Sequence, residues 1–586
     1  MKAEQRSVIE LFGGNKQFKL PYYQRRYKWG VPQWEELLTD ILNMSKQFNK
    51  EHFLGVTFHK EAKIIRRNPV LIFILVDGQQ RITTLALFVC AMAKIIKQYP
   101  CDEIGRFDLL LDRFVLNNGQ NGDYYYKLKL KSEDNLTFQA IINSILYDNE
   151  IDIKFKGNRI FKCYDFFLNK ISQENILEVY DGFLALKIMD LTLGDEDDSQ
   201  KIFETLNGTG LNLRQCEQVA NHIFMGYRDE ESGNRYYDLY WSQMESIFDK
   251  YGDKMFDRFI KYFLSCELGI NIPYAHIFSY FKKYMKDSYF NSSAANSTEV
   301  VKRMNKFHKY FLSLEFPENE VDFDLKKAFE KLNKTNRMKN VDIFLMKLYE
   351  EYDSFKLSKN EFIQIIYLFT NYYMRRDLMD LGYFYYGDSF FSELYSLCHS
   401  KQYEGGLYNF LKEYLTSLEQ DKRFPTDKEM KEHISSKDWY KYKNSLYVDC
   451  EIENYFDREK VSITSEISRE HIMPQILNDD WIKYLGDDAG RIHEECCHLI
   501  GNICLSGNNS KLGRNLFPRK QTMEGGYKSS KFKTTRELCD YGYWGESEIK
   551  QRGNSKIERI LEIWPYPLIE EVPLESSKDV VEVPAK

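Results

Sequence analysis

The spacing of apolar residues changes period several times in the first hundred positions. The stretch from Phe18 reads as extended and ends at Pro21, and Trp34, Leu37, Leu38, Ile41 and Leu42 recur at helical spacing across Trp34–Met44. Residues 70–76 form an unbroken β-favouring run, which predicts a buried strand. That run closes at Asp77-Gly78, and Ile82–Ile96 then predicts a helix. From Asp152 to about Pro425 amphipathic helical patterns rich in Tyr, Phe, Leu and Lys dominate, and no fixed-period repeat stands out. Within them NSSAANST, residues 291–298, is the best candidate for a loop or hinge. A last helical stretch leads from Pro425 to Glu453, a mixed region runs from Val461 to Trp564, and an acidic, poorly ordered tail is expected beyond Pro567. The fold class expected is α+β, multidomain and predominantly helical.

Composition narrows this only a little. A chain of 586 residues exceeds one ordinary core, so two to four domains are expected. The formal net charge of -7 excludes a uniformly basic nucleic-acid coat, so any DNA-binding surface must be local. The N-terminal MKAEQRSVIELFGG lacks a continuous apolar core, so no secretory signal is expected, and the apolar runs at 70–76 and 85–93 are too short to span a bilayer. The 11 cysteines are scattered, which fits reduced thiols in a cytoplasmic protein with no membrane partner. Cys496, Cys497, His498 and Cys504, with His493, cluster in sequence. No CxxC pair is answered by a second, so core cysteines are expected there in preference to zinc ligands.

Chemistry enters at VLIFILVDGQQRITTLALF, which is strand, glycine turn, helix. Such a junction aims the free N–H groups of a first helical turn beyond the strand, where an anion, most often phosphate, is favoured. Arg81 would add a charge-assisted fork, Thr83 and Thr84 hydroxyl donors, and Asp77 a metal or ribose ligand, while the plainer alternative is an Asp that caps the helix. Two further pieces bear on this. LPYYQRRYKW, residues 20–29, alternates polar and cationic side chains with rings, and KIFETLNGTG, residues 201–210, is a helix stopped by glycines.

In this order and spacing the three pieces resemble the DGQQR-motif domain of GmrSD-type, modification-dependent (type IV) restriction endonucleases, over about residues 8–225. The resemblance implies a ParB-like α/β core that binds and hydrolyses a nucleoside triphosphate. The residues it marks for nucleotide binding are Gln24, Arg25, Asp77, Gly78, Gln79, Gln80 and Arg81, with Asn207 a weaker candidate. The chain has no GxxxxGK[ST] sequence, so nucleotide use would not be of the P-loop kind.

The second constellation lies near the other end. ITSEISREHIMPQ, residues 463–475, reads as an extended segment ending in Glu-His, and HLIGNICL, residues 498–505, as another. Gly507-Asn508-Asn509 and a short helical segment with Lys511 and Arg514 follow. Strand, strand and helix in this order is the layout of a ββα-metal (HNH) nuclease. Phosphodiester hydrolysis needs an activated water, for which His471 is the natural base. It also needs positive charge on the pentavalent transition state, which one Mg²⁺ or other divalent cation supplies. Magnesium asks for one or two oxygen ligands, and Glu470 and Asn509 are the candidates, with Asn502 orienting the histidine or fixing the loop. Between Lys511 and Arg536 there are eight Lys or Arg against one acid, Glu524, and Lys511, Arg514, Arg519 and Lys520 are the candidate phosphate contacts.

Residues 424–564 resemble the C-terminal HNH domain of the same endonucleases, through EHIMPQ, Trp481, HLIGN, Asn509, Phe517 with Lys520, and WGESEIKQR at 544–552. The family's second asparagine is displaced here to Asn515, which leaves Asn508 and Asn509 as alternatives. The domain plan expected is 1–225 sensor, 226–423 helical connector, 424–565 nuclease and 566–586 tail. The resemblance, which extends to SspE-like phage-defence nucleases, implies an NTP-regulated, metal-dependent endonuclease acting on phage or modified DNA. The rivals are a nucleotide-switched DNA-binding regulator with a degenerate nuclease centre, and a nicking toxin. Double-strand cleavage by one such centre calls for two protomers or two nicks, which leaves a homo-oligomer open.

Overall fold

The computed structural model describes residues 2–46, 52–62, 70–194, 197, 213–225, 227, 230–252, 254–289, 294–339, 341–382, 390–400, 406–456, 467–507 and 509–567. It is mostly helical and divides into two compact units, one of residues 1–260 with 274–305 and the other of 261–273 with 306–586. The expected connector, 226–423, is therefore shared between the two.

The first unit is built on a six-stranded mixed sheet. Its strands are β1 (Lys2–Ser7), β2 (Lys16–Lys19), β3 (His52–Glu61), β4 (Leu71–Asp77), β5 (Leu128–Lys129) and β6 (Leu186–Leu193), in the spatial order β1-β6-β3-β4-β2-β5. β2 runs parallel to both β4 and β5, so the chain leaves all three strands at the same end of the sheet. Four strands, β1, β3, β5 and β6, escaped the sequence reading. β1 is short and polar, and β6 lies inside the stretch read as helical, although LKIMDLTL alternates in burial along most of its length. Its position beside β3 overrides the helical context. The run at 70–76 is a strand from Leu71 as expected, but only Val70, Leu75 and Val76 of it are buried, and Leu71 is 47% exposed.

Helices α1 (Val31–Ser45), α2 (Gln79–Gln98), α3 (Phe107–Phe114), α4 (Ser132–Leu146), α5 (Arg159–Lys170) and α6 (Ile176–Leu184) pack around this sheet. α2 is the central element. It lies against α3, α4, α5 and α6, and nearly all of its side chains from Gln79 to Ile96 are buried. That explains why its sequence is apolar all round and shows no solvent stripe. Residues 294–298, expected to be a hinge, instead open a helix, Ala294–Glu315, while 290–293 lie outside the described residues.

The second unit is helical up to Phe456 and then carries an antiparallel two-stranded ladder, β7 (Ser468–His471) with β8 (Ile503–Ser506). Around it lie α7 (Ala489–Cys496), α8 (Asn509–Leu512), α9 (Phe517–Thr522) and α10 (Glu546–Ile563). The extended segment expected from His498 begins only at Ile503, because Ile500–Asn502 form a 3₁₀ turn. α10 fixes that turn: Arg552 donates to the carbonyls of Gly501 (2.6 Å) and Ile503 (2.9 Å), and a Cβ on Gly501 would run into the Ile549 carbonyl. The buried Lys556 ammonium, paired with Asp449, donates to the Ile503 carbonyl at 3.2 Å.

Candidate active site and candidate anion site

At the β4–α2 junction Gly78 has φ +88°, and a Cβ there would lie 2.7 Å from Thr57 Cγ2. Only glycine fits this left-handed, crowded corner. The residues around it divide into two groups. Gln24, Gln79 and Gln80 are buried, and all but the Gln79 carbonyl oxygen, which has no partner among the described residues, bond to the protein itself. Gln24 Nε2 donates to the Val76 carbonyl (3.0 Å), and Gln79 Nε2 donates to Gln24 Oε1 (3.2 Å). Gln80 Oε1 accepts from the N–H groups of Lys28 (2.7 Å) and Trp29 (3.2 Å). These three staple the cationic, aromatic loop 21–29 onto the strand–helix corner; Gln24 and Gln80 are thereby corrected from nucleotide contacts to loop contacts, whereas Gln79 keeps one oxygen unmatched. Thr83 and Thr84 are likewise buried, and Thr84 bonds to Tyr27 and to the Gln80 carbonyl.

Arg25, Asp77 and Arg81 are less enclosed. Arg25 lies 3.7 Å from Glu217, and Arg81 donates to the Val56 carbonyl at 3.2 Å. Burial pushes the Asp77 carboxyl above its usual range, although the Gly78 N–H, Arg81 and Arg25 pull against it. Arg81, Trp29, His52 and Asp40 help line a cavity of about 360 Å³, and Arg25, Lys28 and Lys131 help line another of about 520 Å³. Tyr27 is core: its hydroxyl meets Thr84 (2.6 Å), Trp34 Nε1 (2.8 Å) and Cys163. Asn207 lies outside the described residues.

In the second unit β7 carries Glu470 and His471 side by side, both buried. The His471 ring stands against Tyr440, with centroids 4.5 Å apart. Its Nδ1 faces Gln475 Nε2 at 3.1 Å and its Nε2 faces His498 Nδ1 at 3.1 Å. Burial, aided by the neighbouring His498, Lys520 and Arg469, pushes His471 down to about 4. The imidazole is therefore neutral near pH 7 and holds a lone pair that can take a proton.

Glu470 Oε1 accepts from Lys520 Nζ at 2.6 Å, and the same ammonium donates to the carbonyls of His471 (3.0 Å) and Ile472 (3.1 Å). Burial pushes the Glu470 carboxyl up against the pull of Lys520. Lys520 is 0% exposed with its three donors used, so its expected role as a phosphate contact is corrected. It is the internal cation that holds β7 in place. Lys511, Arg514 and Arg519 are exposed, as are Lys528, Lys531, Lys533 and Arg536.

Asn509 donates through Nδ2 to the Arg469 carbonyl (2.8 Å), and its Oδ1 is buried with no partner among the described residues. An oxygen acceptor left unmatched beside a carboxylate strand suits a hard divalent cation. Asn508, its rival, lies outside the described residues, and Asn515 is used in capping, donating to the carbonyls of Lys511 and Leu512. Asn502 does not reach His471. Its amide accepts from Met473 N–H (2.8 Å) and Trp544 Nε1 (3.1 Å) and donates to the carbonyls of Met473 (2.9 Å) and Cys497 (2.8 Å). It is a positioning residue that fixes the turn after β7, the second of the two roles expected of it, and the contact with the histidine is corrected. The sequence reading missed Tyr440 and the part played by Gln475, His498 and Cys497. Gln475 and His498 stood inside EHIMPQ and HLIGN, but no spacing rule ties them to His471.

Two family profiles match the chain, and both describe restriction nucleases. One, GmrSD restriction endonuclease, N-terminal domain, matches residues 8–224, and the other, GmrSD restriction endonucleases, C-terminal domain, matches residues 424–557. Together they cover more than half of the chain. The chain belongs to the GmrSD restriction endonuclease family. None of the curated proteins compared with it matches.

Proposed function

We propose that the chain is a metal-dependent DNA endonuclease of the HNH kind, acting in defence against phage or modified DNA under control of a nucleoside triphosphate bound in its first unit. The observation that carries the nuclease reading is a neutral histidine and a carboxylate at the end of β7, with Asn509 bonded to the same strand from α8 and its buried amide oxygen without a partner among the described residues. Glu470 and Asn509 would hold the divalent cation, which supplies the positive charge that the pentavalent phosphorus transition state requires. His471 takes the proton of the attacking water on a ring nitrogen, once Gln475 or His498 yields its place. Lys520 keeps Glu470 and the His471 carbonyl fixed, and Asn502 fixes the turn that follows. The exposed cations Lys511, Arg514 and Arg519 bind the DNA backbone.

In the first unit the free N–H groups at the start of α2, with Arg81 and Arg25, form the anion site, and Asp77 is the candidate partner for a metal or ribose. The glutamines act by shaping the loop over it. The test is plasmid cleavage in Mg²⁺ by wild type, Asn509→Ala and Asn509→Asp, with NTP hydrolysis followed in Asp77→Ala and Arg81→Ala. Cleavage should fall in Asn509→Ala and return partly in Asn509→Asp. Full cleavage in the presence of excess chelator would remove the metal-dependent reading. Unchanged NTP hydrolysis in both first-unit variants would remove the nucleotide site.

A further inference from the structure

Beside the oxygen ligands assigned above lies a second donor set of different chemistry. One ring nitrogen each of His471 and His498 and the Cys497 Sγ all lie within 4.8 Å of one another, and His471 Nε2 is 3.1 Å from His498 Nδ1. They come from the strand β7 and from the end of α7, which the Asn502 clasp holds together through Met473 and the Cys497 carbonyl. We infer that these three side chains form a binding site for a zinc-class transition-metal ion, and that a filled site shuts off His471.

Nitrogen and thiolate donors select zinc over magnesium, which prefers oxygen. Zinc bound to nitrogen at about 2.0–2.1 Å in a tetrahedron places two nitrogens roughly 3.3 Å apart. The two ring nitrogens are 3.1 Å apart already, so small side-chain shifts admit the ion. The Cys497 thiol has only a weak contact, 3.8 Å to the Pro474 carbonyl, and little is lost when its sulfur turns to a metal. Binding breaks the S–H bond, the sulfur keeps the electron pair for the metal, and the proton leaves to solvent.

The outer contacts fit as well. A ligating histidine usually donates its other N–H to an oxygen acceptor. Gln475 already faces His471 Nδ1 at 3.1 Å, and a half-turn of its amide presents Oε1 to that N–H. Tyr440 walls the site, with its ring 4.5 Å from His471 and 5.9 Å from His498. Once Nε2 binds metal and Nδ1 carries the proton, no lone pair remains for water. That consequence rests on His471 being the base; the metal site itself does not.

The test uses the full chain, stripped of metal and titrated with Zn²⁺ against a chromophoric chelator. One site per chain is expected, weakened at least tenfold in Cys497→Ala and in His498→Gln and unchanged in Cys496→Ala. Urea denaturation of the metal-free variants checks that each folds. Co²⁺ offers a second measurement, since a thiolate-to-cobalt absorption band should appear in wild type and Cys496→Ala and vanish in Cys497→Ala. Absence of a site in wild type, or equal affinity in all variants, overturns the proposal. Plasmid cleavage in Mg²⁺ with rising Zn²⁺ should fall as the site fills. Cleavage that persists with the site full overturns the shut-off, and with it the reading of His471 as base, while leaving the zinc site standing.

Discussion

Lys520 and Arg519 are neighbours in sequence with opposite fates, and the difference is testable. Removing the Lys520 ammonium leaves the buried Glu470 without its charge partner, so Lys520→Met should destabilise the second unit by about 3–5 kcal/mol in urea denaturation. The exposed Lys511, Arg514 and Arg519 should behave otherwise. Changed singly to Gln, each should leave the denaturation midpoint almost unmoved, weaken DNA binding, and lower the slope of log K against log salt by about 0.9 per lost phosphate contact. A stable Lys520→Met protein with weakened DNA binding would reverse that assignment. Asp190 makes a pH prediction. Burial pushes its carboxyl up, but the contacts with His59 (2.7 Å), Arg6 and Thr57 outweigh this and hold it below its usual value. A depressed carboxyl stabilises the fold fully above its unfolded pKa and loses that effect as pH falls through the folded one. The stability gap between wild type and Asp190→Asn should therefore be full at pH 7 and shrink below about pH 3.9. A gap that widens in acid would contradict the assignment.

Among elements, the strand-to-helix corner and the β7–β8 ladder carry the two proposed sites. Gly78→Ala puts a methyl against Thr57 and forces φ +88° on a residue that disfavours it. Loss of more than about 1 kcal/mol from the first unit is expected by thermal or urea unfolding, and an unchanged midpoint would mean that the corner relaxes freely. This corner was legible in the sequence because a β-favouring run, Asp-Gly and a long apolar helix each follow a local rule. β1, β3, β5 and β6 were not legible, since a strand's neighbours, and not its own residues, decided their pairing. The end of β7 was legible as Glu470-His471, yet the roles of Gln24, Gln79 and Gln80 were not, and for Asn502 two roles stayed open. Whether an amide faces a ligand or its own backbone depends on contacts from residues more than twenty positions away. Lys520 was misread for the same reason: a cation in a basic run carries no mark of burial.

At the scale of the whole molecule, a net charge of -7 and a cationic stretch after β8 coexist because DNA needs only a local surface. Each compact unit carries its own buried core, one around α2 and one around Trp481, Phe517 and Trp544. A variant in one core therefore need not disturb the chemistry of the other, and the nuclease centre can be tested in the intact chain. The central claim is that His471 is the general base of a nuclease. Its most direct test is the single-turnover cleavage rate of plasmid DNA in Mg²⁺ for wild type and His471→Ala, with DNA binding and urea stability measured on the same preparations. The account predicts that binding and folding persist while the rate falls by about 10²-fold or more. A His471→Ala protein that cuts at the wild-type rate would contradict it.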